Sequence, residues 1–173
     1  MIIRPATVVD LSRLIVLFQQ EITYQRRINP FFDLSPDFDW RHFVEVKLNN
    51  PNERILLAER GGLLLGYIDT RVRLPKQSSP AKQSIMSRLV RREAPPSLVL
   101  PPAVGWIEDC YVQTEFQRQG IGRALVKEGL TWLQAKGVRR IELAVSAAND
   151  NGRAFWEKQG FSAFRLLMSK ETG

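Results

Sequence analysis

The stretch Gln117-Arg118-Gln119-Gly120-Ile121-Gly122 decides how this chain is read. A strand-like run, Trp106 to Val112, precedes it, and a helix-like run, Arg123 to Lys136, follows it. Two glycines one residue apart allow a tight turn and the close approach of a ligand. The amides of a helix's first turn have no intrahelical partner, and the helix dipole adds partial positive charge there. The segment therefore predicts free N–H donors at a helix start, which suits a phosphate or pyrophosphate. By itself a Gly-x-Gly is a weak signal. It lacks the third glycine of a dinucleotide fingerprint and the Gly-Lys-Ser/Thr of a Walker loop.

Working outward, the chain of 173 residues fits one domain, 1–173, with a sizeable core. The net charge is +7 and the sequence pI is near 10.0. That balance favours anionic partners without choosing among them. One cysteine, Cys110, and one histidine, His42, exclude a disulfide within the chain and argue against a Cys/His zinc site. No metal is expected. The start, Met1-Ile2-Ile3-Arg4-Pro5, does not read as a signal peptide, and no apolar run is long enough to span a bilayer. A reducing cytoplasm is the expected setting, with no membrane partner.

In order, Ile2 to Arg4 reads as a strand, and Thr7-Val8-Val9-Asp10 as a capping box with Asp in the Glu position. The next helix carries Leu11, Leu14, Ile15, Leu17, Phe18 and Ile22, an apolar stripe read as core, and is expected to end near Tyr24. Asp37 or Asp39 is placed to cap a second helix from about Trp40 to Leu48. His42 lies on it and reads as a surface or packing residue. Arg54–Glu59 and Leu63–Arg73 predict a hairpin, with Gly66 marking a bulge or a close backbone approach.

A Pro-rich connection spans about 74–103, with a short helix expected from Ser84 to Glu93 and an extended piece from Ser97 to Leu100. Between Arg71 and Ala103 the basic residues are Arg71, Arg73, Lys76, Lys82, Arg88, Arg91 and Arg92, against the single acid Glu93. The segment reads either as a solvated flap or as a docking element. Without a stacking pattern or a helix-turn-helix signal, nucleic acid is not an expected partner.

A strand from Val104 to Val112, the glycine loop and its helix follow, with apolar positions Ala124, Leu125, Leu130, Trp132 and Leu133 and a Gly137 C-cap. Arg140–Val145 reads as a strand, Asn149–Gln159 as a helix and Phe164–Met168 as a last strand. The expected order is β-α-α-β-β-β-α-β-α-β, an α/β domain whose first half is mostly antiparallel.

Three features together sharpen the loop's meaning. Ile107 to Val112 runs directly into Gln117-x-x-Gly120-x-Gly122; Asn149 follows a strand; and Phe155-Trp156-Glu157-Lys158-Gln159-Gly160-Phe161 closes the helix after it. On these residues the chain resembles the GNAT superfamily, the acyl-CoA-dependent N-acetyltransferases. The resemblance covers almost the whole chain in element order. It is strongest from Val104 to Phe161 and weak before Asn52.

The resemblance implies a mixed central sheet with helices on both faces, splayed between the fourth and fifth strands. It implies acetyl-CoA as co-substrate and acetyl transfer to a primary amine by direct attack in a ternary complex. Amides from about Arg118 to Arg123, through Gln119, Gly120, Ile121 and Gly122, would hold the CoA pyrophosphate, and Gln117 of the same motif would belong to the cofactor site. The backbone of Cys110, Tyr111 and Val112 would pair with the pantetheine arm like an added strand. Asn149 and Trp156 would contribute to the cofactor wall. Dimers are common in the family, so a homodimer is an expectation.

The acceptor amine must be neutral to attack, although a free alkylammonium has a pKa of about 10.4. Glu108 is the leading candidate base, with Asp109 second, since a strand bulge exchanges adjacent faces. The plain alternative for both is an ordinary salt bridge. A strand amide near Tyr111 would stabilise the oxyanion. Cys110 reads as a small buried strand residue rather than a nucleophile. Many members carry Tyr where this chain has Trp156, and indole is a poor acid. Tyr111 is then a candidate proton donor and Trp156 a wall of the groove. Trp156 also motivates a second reading, a non-catalytic acyl-CoA-binding module.

Overall fold

The computed structural model describes residues 1–29, 35–74 and 103–168. The helix expected at Ser84–Glu93 and the extended piece at Ser97–Leu100 lie outside them.

Strand β1 (Ile2–Pro5) leads through a single 3-10 turn (Val8–Asp10) into helix α1 (Leu11–Ile28). Helix α2 (Trp40–Asn49), strands β2 (Glu53–Arg60), β3 (Leu63–Arg73) and β4 (Val104–Val112), helix α3 (Ile121–Ala135), strand β5 (Arg140–Leu143) and helix α4 (Asp150–Lys158) complete the described order. The five strands form one sheet in the order β1-β2-β3-β4-β5. The first four are antiparallel neighbours, and β5 runs parallel to β4 after the α3 crossover.

The capping box forms. The Thr7 backbone N–H donates to Asp10 Oδ2 at 3.0 Å. Asp10 is fully buried and also accepts from both terminal nitrogens of Arg4 at 2.8 Å and from Arg13 at 2.6 Å. These bonds tie the β1 end to the α1 start and hold the Asp10 carboxyl well below the usual carboxylate range. Of the two candidate caps for α2, Asp39 is the one used: its Oδ1 accepts from the His42 N–H at 2.9 Å.

Each face of the sheet has its own core. On one side Leu14, Leu17 and Phe18 of α1 and Val44 of α2 pack with Leu57, Tyr67 and Tyr111. The Phe18 ring lies 4.6 Å from Tyr67 and 5.5 Å from Phe43, centroid to centroid. On the other side Ile121, Leu125, Val126 and Leu133 of α3 pack on Ile68, Val72 and Ile107. Gly129 belongs to this buried face too. A Cβ there would sit 3.1 Å from Ile68 Cδ1 and Thr70 Cγ2, so its smallness sets how closely α3 approaches β3.

Several boundaries differ from the sequence expectation. Helix α1 continues past Tyr24 to Ile28, because Gln25, Arg26 and Arg27 sustain a helix and the two arginines complement its C-terminal dipole. Strand β5 stops at Leu143 instead of Val145. Phe164–Met168 is not a strand, and Phe164, Leu166, Leu167 and Met168 are exposed. Strand propensity reports fit to a neighbouring strand, and the described residues give this segment none.

Gly66 is a close approach as expected. A Cβ there would collide with the Tyr111 carbonyl oxygen, and Leu65 beside it is the extra residue of a bulge against Ala58 and Glu59. The variant Gly66→Ala is expected to destabilise the fold by about 1–3 kcal/mol through overpacking. A lowered midpoint in urea unfolding with an unchanged m-value is the readout; an unchanged midpoint would show that β3 and β4 part without cost.

Candidate active site

Strand β4 carries a second bulge. Asp69 pairs with Asp109, but the next β3 residue, Thr70, pairs with Ile107, so Glu108 is the extra residue. Ile107 and Cys110 both pack on the α3 side, although they are three residues apart. Regular alternation forbids that, and the bulge resolves it. Asp109 and Tyr111 are left facing α1 and α2.

Strands β4 and β5 pair only from Val104↔Arg140 to Ile107↔Leu143. Beyond that point β4 runs on alone to Val112. The Tyr111 carbonyl faces β3, as its proximity to Gly66 shows. Gln113 N–H likewise donates to Leu65 O in β3 at 2.9 Å. By alternation Cys110 and Val112 present their amides and carbonyls to the open edge. A cleft of about 480 Å³ occupies the parting. Glu108, Asp109, Cys110, Tyr111 and Val112 line one wall, and Leu143 to Ser146 with Asn149, Phe155 and Trp156 of the α4 region line the other. Glu21, Tyr24 and Gln25 of α1 close the far end.

The glycine loop borders the same cleft. Gly120 is the N-cap of α3 with φ +79°, in the left-handed region, and a Cβ there would meet nothing within 4 Å. The first helical bond runs from Ala124 N–H to Gly120 O at 3.1 Å. The amides of Ile121, Gly122 and Arg123 therefore have no intrahelical acceptor. Arg118, Arg123 and Lys158 add positive charge along this part of the lining. Such a corner suits a phosphate-bearing group. Gln117 acts on the protein itself: its side-chain amide donates to the Val112 carbonyl at 3.0 Å. Gln119 is the one loop residue away from the cleft, and its amide donates to Glu115 O at 3.4 Å. Asn149 caps α4, accepting from the Gly152 N–H at 2.8 Å. The Trp156 ring packs between Phe155 and Phe161, with centroids at 5.0 and 5.4 Å, as a wall.

The acidic residues divide sharply. Glu108 receives Arg73 Nη2 on both oxygens at 3.1 and 3.2 Å, with Arg71 at 3.8 Å. The Arg73 guanidinium is itself stacked 3.7 Å over Trp106. Asp109 has no such partner among the described residues. Burial pushes its carboxyl up to about 6; Lys47 opposes this, and Glu108 and Glu53 add to it. Glu21 is 5 % exposed. Burial pushes it up to about 7, the Asp109 charge adds, and the 2.7 Å hydrogen bond from Gln25 opposes. Burial pushes the Cys110 thiol up to about 12, so it is no thiolate at neutral pH. Burial likewise raises the Tyr111 phenol, which stays protonated.

Glu21, Tyr24, Gln25 and Lys158 were not foreseen as site residues. Glu21 had a signal: it falls three residues after Phe18 and four after Leu17, a carboxylate on the buried stripe of α1. Nothing local distinguished Lys158 from any helix-terminal lysine. Among the described residues no group of acidic, histidine and cysteine side chains is arranged to hold a metal ion, and no helix is long and apolar enough to cross a membrane.

Comparison with known proteins gives this cleft a context. Residues 16–161 match the acetyltransferase (GNAT) family. A segment of 60 residues is 42% identical to mycothiol acetyltransferase from Beutenbergia cavernae, covering 35% of this chain and 20% of that protein. The chain thus matches only about a fifth of the length of that curated relative. Among solved structures, a tetramutant of the BH1408 protein from Bacillus halodurans superposes with a TM-score of 0.77 at 19% identity, over 99% of this chain and 100% of that one. Aminoglycoside N-acetyltransferase AAC(6')-Iy in complex with CoA superposes with a TM-score of 0.66 at 16% identity, over 99% and 100% of the two chains. At these identities the structural likeness speaks for the fold alone. The family match, running from within α1 to the turn after α4, shows that the chain belongs to the acetyltransferase (GNAT) family.

Proposed function

We propose that this acetyltransferase moves an acetyl group from acetyl-CoA to a primary amine by direct attack in a ternary complex. One observation carries the reading. A half-buried carboxylate with no ion-pair partner among the described residues, Asp109, stands on the strand whose free edge lies beside the α3 N-terminus. The cytoplasm, where acetyl-CoA and a reduced Cys110 coexist, is the proposed setting.

The free amides of Ile121, Gly122 and Arg123, with Arg118 and Lys158 nearby, suit the CoA pyrophosphate. The open edge at Cys110 and Val112 suits the amide-bearing pantetheine arm. Trp156 serves as a wall of that groove. In the reaction the acceptor nitrogen attacks the thioester carbonyl carbon, a C–N bond replaces the C–S bond, and an amide and a thiol result. Asp109 takes a proton from the entering ammonium, and its raised pKa near neutrality matches that task. Glu108, the first choice on sequence, has its carboxylate engaged by Arg73, which makes it the weaker base. The Cys110 or Val112 amide is placed for the oxyanion, since Tyr111 turns its own amide toward β3. Tyr111, protonated and lining the cleft, is the proposed donor to the departing thiolate.

Three outcomes test this. Asp109→Asn is expected to lower kcat by about 10²- to 10⁴-fold while leaving CoA affinity within a small factor, and to remove an acidic limb near pH 6 from the kcat/KM profile. An unchanged limb would return the role to Glu108 or to water. Gly120→Glu introduces a side chain at a left-handed position and an anion at the helix start, and is expected to weaken CoA binding by about 100-fold or more in calorimetry. Retained affinity in a folded variant would refute the pyrophosphate placement. Finally, Glu21 and Asp109 have folded pKa values above their ordinary ones, so the folded state holds extra protons between about pH 4 and 7. Stability from these groups therefore falls as pH rises through that window. Glu21→Gln is expected to raise the urea midpoint of the ligand-free protein more at pH 8 than at pH 5, and equal shifts at both would refute the assignment.

A further inference from the structure

Among the described residues, the buried carboxylates other than Glu21 have cationic partners. Asp10 is paired with Arg4 and Arg13, Glu53 and Asp69 with Lys47 at 2.8 and 2.5 Å. Among the described residues, buried Glu21 and half-buried Asp109 are the exceptions, and both open onto the cleft. No basic side chain among the described residues comes within ion-pair distance of either. Behind them the Tyr67 hydroxyl is fully buried and has no hydrogen-bond partner among the described residues. The charges of Asp109 and Glu21 lead the neighbours that act on it. Buried carboxylates are costly unless a cation or hydrogen-bond donors meet them. A cleft that gives two of them no ion-pair partner among the described residues favours a positively charged ligand.

The count of charges then matters. Asp109 is neutralised by the proton it accepts during the reaction. An acceptor with a single amino group gives up its charge before attack and leaves Glu21 facing no cation at the moment of transfer. When Glu21 is ionised, a positive charge that persists through transfer stabilises it.

Resting on the amine-acetylating reading above, we infer that the acceptor is a di- or polyamine, and that Glu21 of α1 holds its second, non-reacting ammonium. Gln25 fixes the carboxylate by its hydrogen bond, and Tyr24, on the same helix face, supplies an aromatic wall for the intervening carbon chain. Glu21 is thus a specificity residue, and Asp109 the residue at the reacting nitrogen.

The test is a matched acceptor series, n-alkylamines against α,ω-diaminoalkanes of equal length from propyl to hexyl. The reaction is followed by acetyl-CoA-dependent thiol release and mass spectrometry of the product. The diamine is expected to exceed its monoamine in kcat/KM by about tenfold or more, beyond the statistical gain of a second amino group. Glu21→Gln should lower that ratio, chiefly through the KM of the diamine. A ratio near unity in the unaltered protein overturns the inference and leaves amine acetylation standing. So does an equal loss for both acceptors in Glu21→Gln. Bound CoA with no amine of either kind acetylated overturns the functional reading itself. The ratio in the unaltered protein decides the matter even if Glu21→Gln does not fold, and Glu21→Asp provides a conservative variant that keeps the charge.

Discussion

Everything distinctive in this molecule depends on β4 leaving its neighbour. Strand β5 ends at Leu143, while β4 continues for five residues beyond the last paired position, Ile107. Antiparallel pairing with β3 holds β4 along its whole length, so its other edge can be free without fraying. The Glu108 bulge coincides with the point of separation. It lets Ile107 stay in the α3 core while Asp109 and Tyr111 turn to the α1 side. Had the strand kept strict alternation, either Ile107 would leave its core or Asp109 would point away from α1.

Charge is distributed with the same economy. Lys47 reaches Glu53 and Asp69, and burial, which would lower its pKa, is more than offset by those two carboxylates. Arg73 stacks on Trp106 and takes Glu108. Among the described residues, these pairs place fixed positive charge on the periphery of the acidic cluster. A buried ion pair is weak evidence of stability. The contrast among the described residues between carboxylates with and without an ion-pair partner is what the proposal for the acceptor rests on.

The sheet strands, the two flanking helix layers and the glycine loop were legible because each rests on local pattern. Leu63–Arg73 and Val104–Val112 have the boundaries their sequences suggest. The loop's glycine at the α3 N-cap follows from conformational need. What was not legible depended on distant partners. Phe164–Met168 has strand-like composition but no strand to pair with. The partner of Glu108, Arg73, is far from it in sequence. Glu21 was hidden because a stripe of Leu14, Leu17 and Phe18 draws attention to packing, and only the fold reveals that α1 reaches the cleft at that turn. Arg71 and Arg73, at the end of β3 just before the basic connection, are both drawn to acidic neighbours.

The hydrogen bond from Gln117 to the Val112 carbonyl has a further consequence. It spans the turn between the end of β4 and the start of α3, so the strand edge and the helix N-terminus are braced as one body before any ligand arrives. An extended ligand laid along both would find its two anchor points already at a fixed separation. Each mobile side chain or loop that must be ordered on binding costs about 0.5–1.5 kcal/mol, and this brace removes part of that cost in advance. Shortening Gln117 to Asn would break this hydrogen bond and leave the strand end and the helix start without that brace.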